Sequence, residues 1–271
     1  MTAGSAVIKD LLQSFGLRPN RALGQNFLAN EEKAEAIAQA ACKGGLSVLE
    51  IGPGLGALTG PLLKYTPKVC AVEIDASMAD ALSSLFPKES RLLIRREDFL
   101  KSDLNSICEW LGGSFAVAAN LPYYATTPIC LRLLSCGLPI PRMALMAQKE
   151  AADRFFAKPS SRQYGPLAVL AQYYYTPQPF MELSYADYYP QPEVNSSVTL
   201  LERRDTALIT DFAAFLQQAF AQRRKTISNN LKGINGAAKA LTLCSIDPSA
   251  RAESLEPETL ARLAEMLNLG D

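Results

Sequence analysis

The chain has 271 residues, 48% of them hydrophobic, with 27 basic and 27 acidic side chains in balance and no histidine. That length and apolar content suit one large domain, alone or with a smaller companion, built on a real core. The missing histidine excludes Ser-His-Asp and Cys-His nucleophiles, histidine zinc sites and a histidine general base, and the neutral total argues against a protein that coats nucleic acid indiscriminately.

Ile8 to Phe15 has the pattern of a short amphipathic helix. A polar, basic stretch, Arg18-Pro19-Asn20-Arg21, leads into Leu23-Gly24-Gln25-Asn26-Phe27-Leu28. Asn30 is placed to cap a helix with an acidic first turn, Glu31-Glu32, which runs to about Cys42 before Gly44-Gly45 stops it. Ser47 to Ile51 predicts a strand, followed by Gly52-Pro53-Gly54-Leu55-Gly56 and a helix from about Ala57 to Lys64. Val69 to Ile74 predicts a second strand with Glu73 and Asp75 at its end. Further strands are expected at Arg91 to Arg95, Phe115 to Ala119 and Arg142 to Gln148, separated by helices, the last at Thr127 to Cys136. Strands that alternate with helices imply a parallel sheet with right-handed crossovers.

After Glu150 the composition shifts toward Pro, Tyr and Gln as far as Pro192. One strand is expected within Val169 to Phe180 and another at Ser197 to Leu201, joined by a loop and paired antiparallel at the sheet edge. Arg203-Arg204-Asp205 marks a boundary, and from Asp211 the pattern is helical only. The expected architecture is α/β: a Rossmann-like catalytic domain over residues 1–204 and a small C-terminal all-helical domain over 205–271. The six cysteines are scattered without a Cys-x-x-Cys pair, which suits buried reduced thiols in a cytoplasmic protein. No apolar run has the length of a leader or a membrane span, so no membrane partner is expected.

Four strand ends carry chemistry. The glycine run after the first strand lets backbone pass close to a ligand and opens a helix whose free N–H groups face an anion. Glu73 stands where a carboxylate accepts from ribose hydroxyls, with Asp75 as competitor and a solvated strand end as the plain alternative. Asp98 is placed to accept from an adenine amino group, or simply to cap a helix. The corner Asn120-Leu121-Pro122-Tyr123 suits an exocyclic nucleobase amine: the Asn carboxamide and the Leu121 carbonyl accept its hydrogens, proline sets the turn, and Tyr123 offers a stacking face. Ligands of open parallel sheets bind at the strands' carboxyl ends, so four suitable residues at successive ends point to one site.

These motifs, with Gln148-Lys149-Glu150, Tyr164-Gly165, Pro190-x-Pro192-x-Val194-x-Ser196 and Gln222-Arg223-Arg224-Lys225-Thr226, resemble the bacterial small-subunit (16S) rRNA adenine N6,N6-dimethyltransferases over residues 18 to about 232. The resemblance implies an S-adenosylmethionine-dependent methyltransferase, with no metal, that modifies two adjacent adenosines near the 3′ end of 16S rRNA within the small ribosomal subunit or its precursor; a monomer is expected. It places Gln25, Asn26, Leu28, Gly52 and Gly54 around the methyl donor, Glu73 on its ribose, Asp98 on its adenine, and Asn120 between donor and target amine. Leu121, Tyr123 and Tyr188 complete the implied catalytic set, Tyr188 standing where the family has Phe. Glu193 and Asn195 stand where the family has Lys and Asp.

Arg223, Arg224 and Lys225 lie in a stretch without acids, which suits a phosphate-binding surface or a solvated helix face. Three other readings stay open. A nicotinamide-dependent oxidoreductase fits the glycine run and Glu73 but leaves the Asn120 corner without a role. A non-catalytic RNA-binding assembly factor on the same fold would differ by an absence of methyl transfer. The large-subunit rRNA methyltransferases that confer macrolide resistance share the catalytic motifs, and the Gln222–Thr226 segment favours the small-subunit enzymes.

Overall fold

The computed structural model describes residues 3–268. They form two compact units. The first takes the chain up to Ile129, then Leu138–Ala152 and Gln178–Arg203; the second takes Cys130–Gly137, Asp153–Pro177 and the chain from Arg204 on. The expected division at 204/205 is a single cut, whereas the chain passes between the units at 129/130, 137/138, 152/153, 177/178 and 203/204. The physical reason is the helix Pro166–Tyr174, buried on nearly every side, which packs on the C-terminal helices Phe212–Ala219 and Pro257–Asn268. The residue pattern assigns part of this segment to a strand. Pro166 at the first helical position and an apolar surface all round conceal the helical period, and the strand begins only at Tyr175.

The strands are β1 (Phe27–Leu28), β2 (Ser47–Ile51), β3 (Val69–Glu73), β4 (Leu92–Arg96), β5 (Phe115–Asn120), β6 (Arg142–Gln148), β7 (Tyr175–Leu183), β8 (Tyr188–Tyr189) and β9 (Ser196–Arg203). Seven make one sheet in the order β4-β3-β2-β5-β6-β9-β7. Neighbours from β4 to β6 run parallel, and β9 returns antiparallel along β6. The central strands are buried on both faces, and their small and β-branched residues, Val48, Val69, Ala116, Val117 and Ala118, suit a sheet covered on both sides. From β2 the chain builds outward through β3 to β4, then returns to the other side of β2 with β5. That reversal leaves a crevice at the carboxyl ends of β2 and β5.

The N-terminal segment is fastened over this crevice. β1 pairs antiparallel with β8, Phe27 opposite Tyr189 and Leu28 opposite Tyr188. Ile8 and Leu12 of the helix Ala3–Ser14 join Phe27, Leu55 and Met78 in a small apolar cluster, which sets the segment on the glycine run. Asn30 caps the helix Glu31–Ala41 as expected, accepting from the Lys33 N–H at 3.1 Å, and its amide donates to Asp187. The second unit has its own core around Leu231, Leu241 and Leu263. There the buried Asn230 donates to the Ala219 and Gln222 carbonyls at 2.7 and 3.2 Å, shaping the turn that carries residues 222–225. No described helix is long and apolar enough to cross a membrane.

Candidate active site

A pocket opens in the first unit at the carboxyl ends of β2, β3 and β5 and is roofed by residues 23–28. Gly52, Gly54, Glu73, Asp98, Asn120 and Tyr123 all line it, so the strand-end residues singled out in the sequence share one cavity.

The glycine run follows β2. Gly52 has φ +68, and a side chain there would come within 3.5 Å of the Asn120 carbonyl. Gly54 has φ +54, and its missing Cβ leaves room for the Phe27 ring, which a methyl group would meet at 2.9 Å. Glycine at 54 thus serves the seating of the N-terminal segment as well as the approach of a ligand. The Gly54 N–H donates to one Glu73 carboxylate oxygen at 3.1 Å, and the Asp75 N–H donates to the other at 2.9 Å. Burial pushes the Glu73 carboxyl above its usual range, while these N–H groups oppose the shift. The carboxylate is held rigidly at the pocket wall, and each oxygen retains a lone pair for a ligand hydroxyl.

Sequence reasoning missed Glu50. It sits in β2, 1% exposed, and its carboxyl accepts from the Thr59 hydroxyl at 2.6 Å. Burial pushes its pKa up to about 8, with a smaller contribution from Glu73. Thr59 opens the helix that follows the glycine run, so the first turn of that helix is joined to a buried carboxyl at the pocket wall. The sequence signals are an acid within a largely apolar strand and its place at the head of the run Glu50-Ile51-Gly52-Pro53-Gly54-Leu55-Gly56, where no role is assigned to Glu50.

Asn120 ends β5. Its amide nitrogen donates to the Asn26 backbone carbonyl at 2.9 Å, which fixes which way the carboxamide points and leaves its oxygen to accept. The Leu121 N–H donates to the Met146 carbonyl at 2.9 Å, and the Leu121 carbonyl has no partner among the described residues. Two acceptor oxygens, one amide and one backbone, therefore meet at one corner. Pro122 continues it, its carbonyl accepting from the Ala125 N–H and the Thr126 hydroxyl at 3.0 Å each. Tyr123 is half-buried on the wall beside them. Asp98 lines the same pocket and also caps a helical turn, one oxygen accepting from the Leu100 N–H at 2.9 Å, so a capping role leaves it free to meet a ligand.

The remaining sequence expectations divide. Asn26 and Leu28 line the pocket. Gln25 reaches the pocket edge, but its side chain is engaged: the oxygen accepts from the Asn20 N–H at 2.8 Å and the nitrogen donates to Asp75 at 2.9 Å. Asp75, the rival to Glu73, is engaged as well, capping the helix Ala76–Leu85 with its other oxygen. Tyr188 is 1% exposed, packs in the core with Leu28 and Val198, and is not among the residues that line the pocket. The resemblance places Tyr188 in the catalytic set; here it stands in β8, paired with Leu28 of β1 and buried beside it. The Tyr123 and Tyr188 hydroxyls both lie near Ser196 without a hydrogen bond of good geometry. Asn195, where the family has Asp, accepts from the Tyr185 N–H at 3.2 Å, a bond that either residue type makes.

In the second unit Arg223 is not a free cation. It donates to Glu253 at 2.8 Å and to the Arg162 and Ser161 carbonyls at 2.6 and 3.3 Å. Arg224 and Lys225 are exposed, and their side chains have no partner among the described residues. The segment is a turn and not the helix face anticipated as an alternative; the helix Ile227–Asn230 starts only after Thr226 caps it.

Residues 16–269 match the family model described as ribosomal RNA adenine dimethylase. The chain is 37% identical over 278 residues to proteins named ribosomal RNA small subunit methyltransferase A from Bacillus mycoides and Bacillus cereus, covering 96% of this chain and 95% of theirs. Among solved structures, a dimethyladenosine transferase from Plasmodium falciparum aligns with a TM-score of 0.68 at 22% identity, covering 86% of this chain and 94% of that one. The 23S rRNA methyltransferase ErmE aligns with a TM-score of 0.61 at 23% identity, covering 89% and 99%. These two likenesses bear on the fold.

Proposed function

The chain belongs to the ribosomal RNA adenine dimethylase family, and from that premise we propose that its pocket brings S-adenosylmethionine and a target adenine together at Asn120. The activity is S-adenosylmethionine-dependent N6,N6-dimethylation of rRNA adenine. The proposed target is the pair of adjacent adenosines near the 3′ end of 16S rRNA, in the small ribosomal subunit or its precursor, as a step in subunit biogenesis. The relatives that match along nearly the whole chain are small-subunit enzymes by name, which supports this choice over the large subunit. A cytoplasmic setting follows from that substrate.

The pocket suits the donor. Glu73, Asp98 and Asn26 supply fixed acceptors and a carboxamide along a cleft whose wall is otherwise largely apolar. We assign Glu73 to the ribose, Asp98 to the adenine, and Gly52, Asn26 and Leu28 to the methionine end. Bound there, S-adenosylmethionine supplies a methyl group on a sulfonium, whose departure needs no acid.

The chain's work lies at the acceptor. The lone pair of adenine N6 is delocalised into its ring, so the amine is a poor nucleophile. Asn120 Oδ1 and the Leu121 carbonyl accept its two hydrogens, which favours a more tetrahedral nitrogen with an available lone pair. The same oxygens and the face of Tyr123 meet the positive charge that grows on N6. Holding the amine in line replaces a bimolecular encounter with a fixed geometry. As the N–C bond forms and the S–C bond breaks, the alkylated N6 becomes acidic and gives its proton to water, so no strong base is required, in keeping with a chain that has no histidine. The adenosine must leave its stack to enter.

The observation that carries this reading is the Asn120–Asn26 hydrogen bond, because it orients the carboxamide oxygen as the acceptor. The test supplies methyl-labelled S-adenosylmethionine to small subunits from cells lacking this protein and maps the label. N6,N6-dimethyladenosine at two adjacent positions near the 16S 3′ end is expected. Label on large-subunit RNA alone, or none, would reject the assignment.

A further inference from the structure

Gln25 spans two parts of the molecule that sequence separates by fifty residues. Its Oε1 accepts from the Asn20 N–H at 2.8 Å, and its Nε2 donates to Asp75 Oδ2 at 2.9 Å. Asp75 is itself held on both sides: its Oδ1 accepts from the Ser77 and Met78 N–H groups, and its own N–H donates to Glu73. One residue beyond Gln25, the Asn26 side chain donates to the Gly24 carbonyl at 3.1 Å, which tightens the turn. The Asn26 backbone carbonyl then accepts from Asn120 Nδ2 at 2.9 Å. The path Asp75–Gln25–Asn26–Asn120 contains one hydrogen bond at each end and one peptide unit between.

We propose that Gln25 is a positioning residue for Asn120: the Gln25–Asp75 bond holds the Asn26 carbonyl where it fixes the orientation of the Asn120 carboxamide. The proposal rests on the role given to Asn120 above. Without that carbonyl the carboxamide can rotate by half a turn, and Nδ2 would then face the target amine, donor against donor. Gln25 is suited to the task because it must accept at one end and donate at the other, which neither a carboxylate nor a hydrocarbon side chain can do. Phe27 and Leu28, anchored by the apolar cluster and by β8, keep the rest of the segment in place when Gln25 is altered, so its loss acts on the turn and not on the whole strap.

The test is an exchange of partners, which in the double variant leaves the net charge unchanged. Gln25→Ala removes the link. Gln25→Glu sets two carboxylates against each other. Gln25→Glu combined with Asp75→Asn restores a donor opposite an acceptor. In that double variant the introduced asparagine still caps its helix, and the introduced glutamate still accepts from the Asn20 N–H. Turnover on small subunits is expected to fall at least about tenfold in Gln25→Ala and further in Gln25→Glu, and to return close to the starting value in the double variant. Affinity for S-adenosylhomocysteine, by calorimetry, stays within about threefold throughout. Separately, the Asn120 side-chain amide resonances exchange with solvent faster in Gln25→Ala and regain protection in the double variant. A double variant that melts like the original protein yet recovers neither turnover nor protection would overturn the proposal. So would a loss of donor affinity as large as the loss of turnover, which would make Gln25 a donor ligand. If protection follows the pattern but the unaltered protein transfers no methyl group, the positioning holds and the function assigned to the site fails.

Discussion

The two units treat their charged and polar motif residues differently. At the strand ends of the first unit, backbone N–H groups hold Glu73, and Asn120 is turned by a backbone carbonyl, so the atoms left over face the pocket. In the second unit the basic run is split: Arg223 ties Glu253 to the Ser161–Arg162 carbonyls, while Arg224 and Lys225 stand in solvent. A strand end fixes the direction of a side chain, and residue type then says much about role. A turn on a helical unit fixes no direction, and identical charges do different work.

The sharpest test of the first region is Asn120→Ala. It should lower single-turnover methyl transfer by about 10²–10³-fold, the size of effect seen when one preorganised polar group leaves a reaction centre. Donor affinity should change little. A matched loss of donor affinity would make Asn120 a binding residue and erase the contrast with Glu73. Glu73→Ala comes next: calorimetry should show donor binding weaker by about 1–3 kcal/mol, through loss of hydrogen bonds to ribose hydroxyls at a buried carboxylate.

The second region can be broken apart by comparing its cations. Arg224→Ala with Lys225→Ala should flatten the log–log salt dependence of subunit binding by roughly 0.7–0.9 for each phosphate that is no longer neutralised. Arg223→Ala should lower the melting temperature and leave that slope in place. A slope change for Arg223→Ala equal to that of its neighbours would mean that its internal bonds give way to RNA.

The last test bears on stability and not on function: it concerns Glu50, whose folded pKa of about 8 lies above the value of 4.5 expected for an unfolded chain. The folded protein keeps a proton that the unfolded chain releases. That stabilisation is complete below about 4.5 and is lost as the pH rises through about 8. Glu50→Gln should therefore melt at a temperature that depends less on pH across this window, measured by calorimetry. An unaltered pH profile would remove Glu50 from the buried, protonated state.

The parallel strands are legible in the sequence because β2 is a short apolar run closed by Gly52-Pro53 and β6 one that opens after Pro139 and Pro141, and their limits at Ser47–Ile51 and Arg142–Gln148 match the expected ones. Gly52, Glu73, Asp98 and Asn120 meet in one pocket for the same reason, since each ends or follows a parallel strand; Asn26 and Leu28 reach it from the N-terminal segment, which no strand pattern marks. Pro166–Tyr174 is not, because a helix buried all round has no polar face to mark its period. Nor are the Asn26–Asn120 and Gln25–Asp75 bonds, which join residues 94 and 50 apart. The direction of the Arg223 side chain depends on where Glu253 folds back, and no local pattern carries that information.

The thiols have a practical consequence. Cys42, Cys70, Cys130 and Cys244 are buried, and burial pushes the thiols of Cys42, Cys70 and Cys130 up to about 12, so those three stay protonated and silent toward alkylating probes at neutral pH. Cys108 and Cys136 are half-exposed, and one belongs to each compact unit. The native chain thus carries two labelling positions that are more accessible, although burial raises the Cys108 thiol as well, which makes it the slower of the pair to label. A fluorophore or spin label on each would let a spectrometer follow one unit against the other while a ribosomal subunit is engaged and released, with no cysteine added or removed.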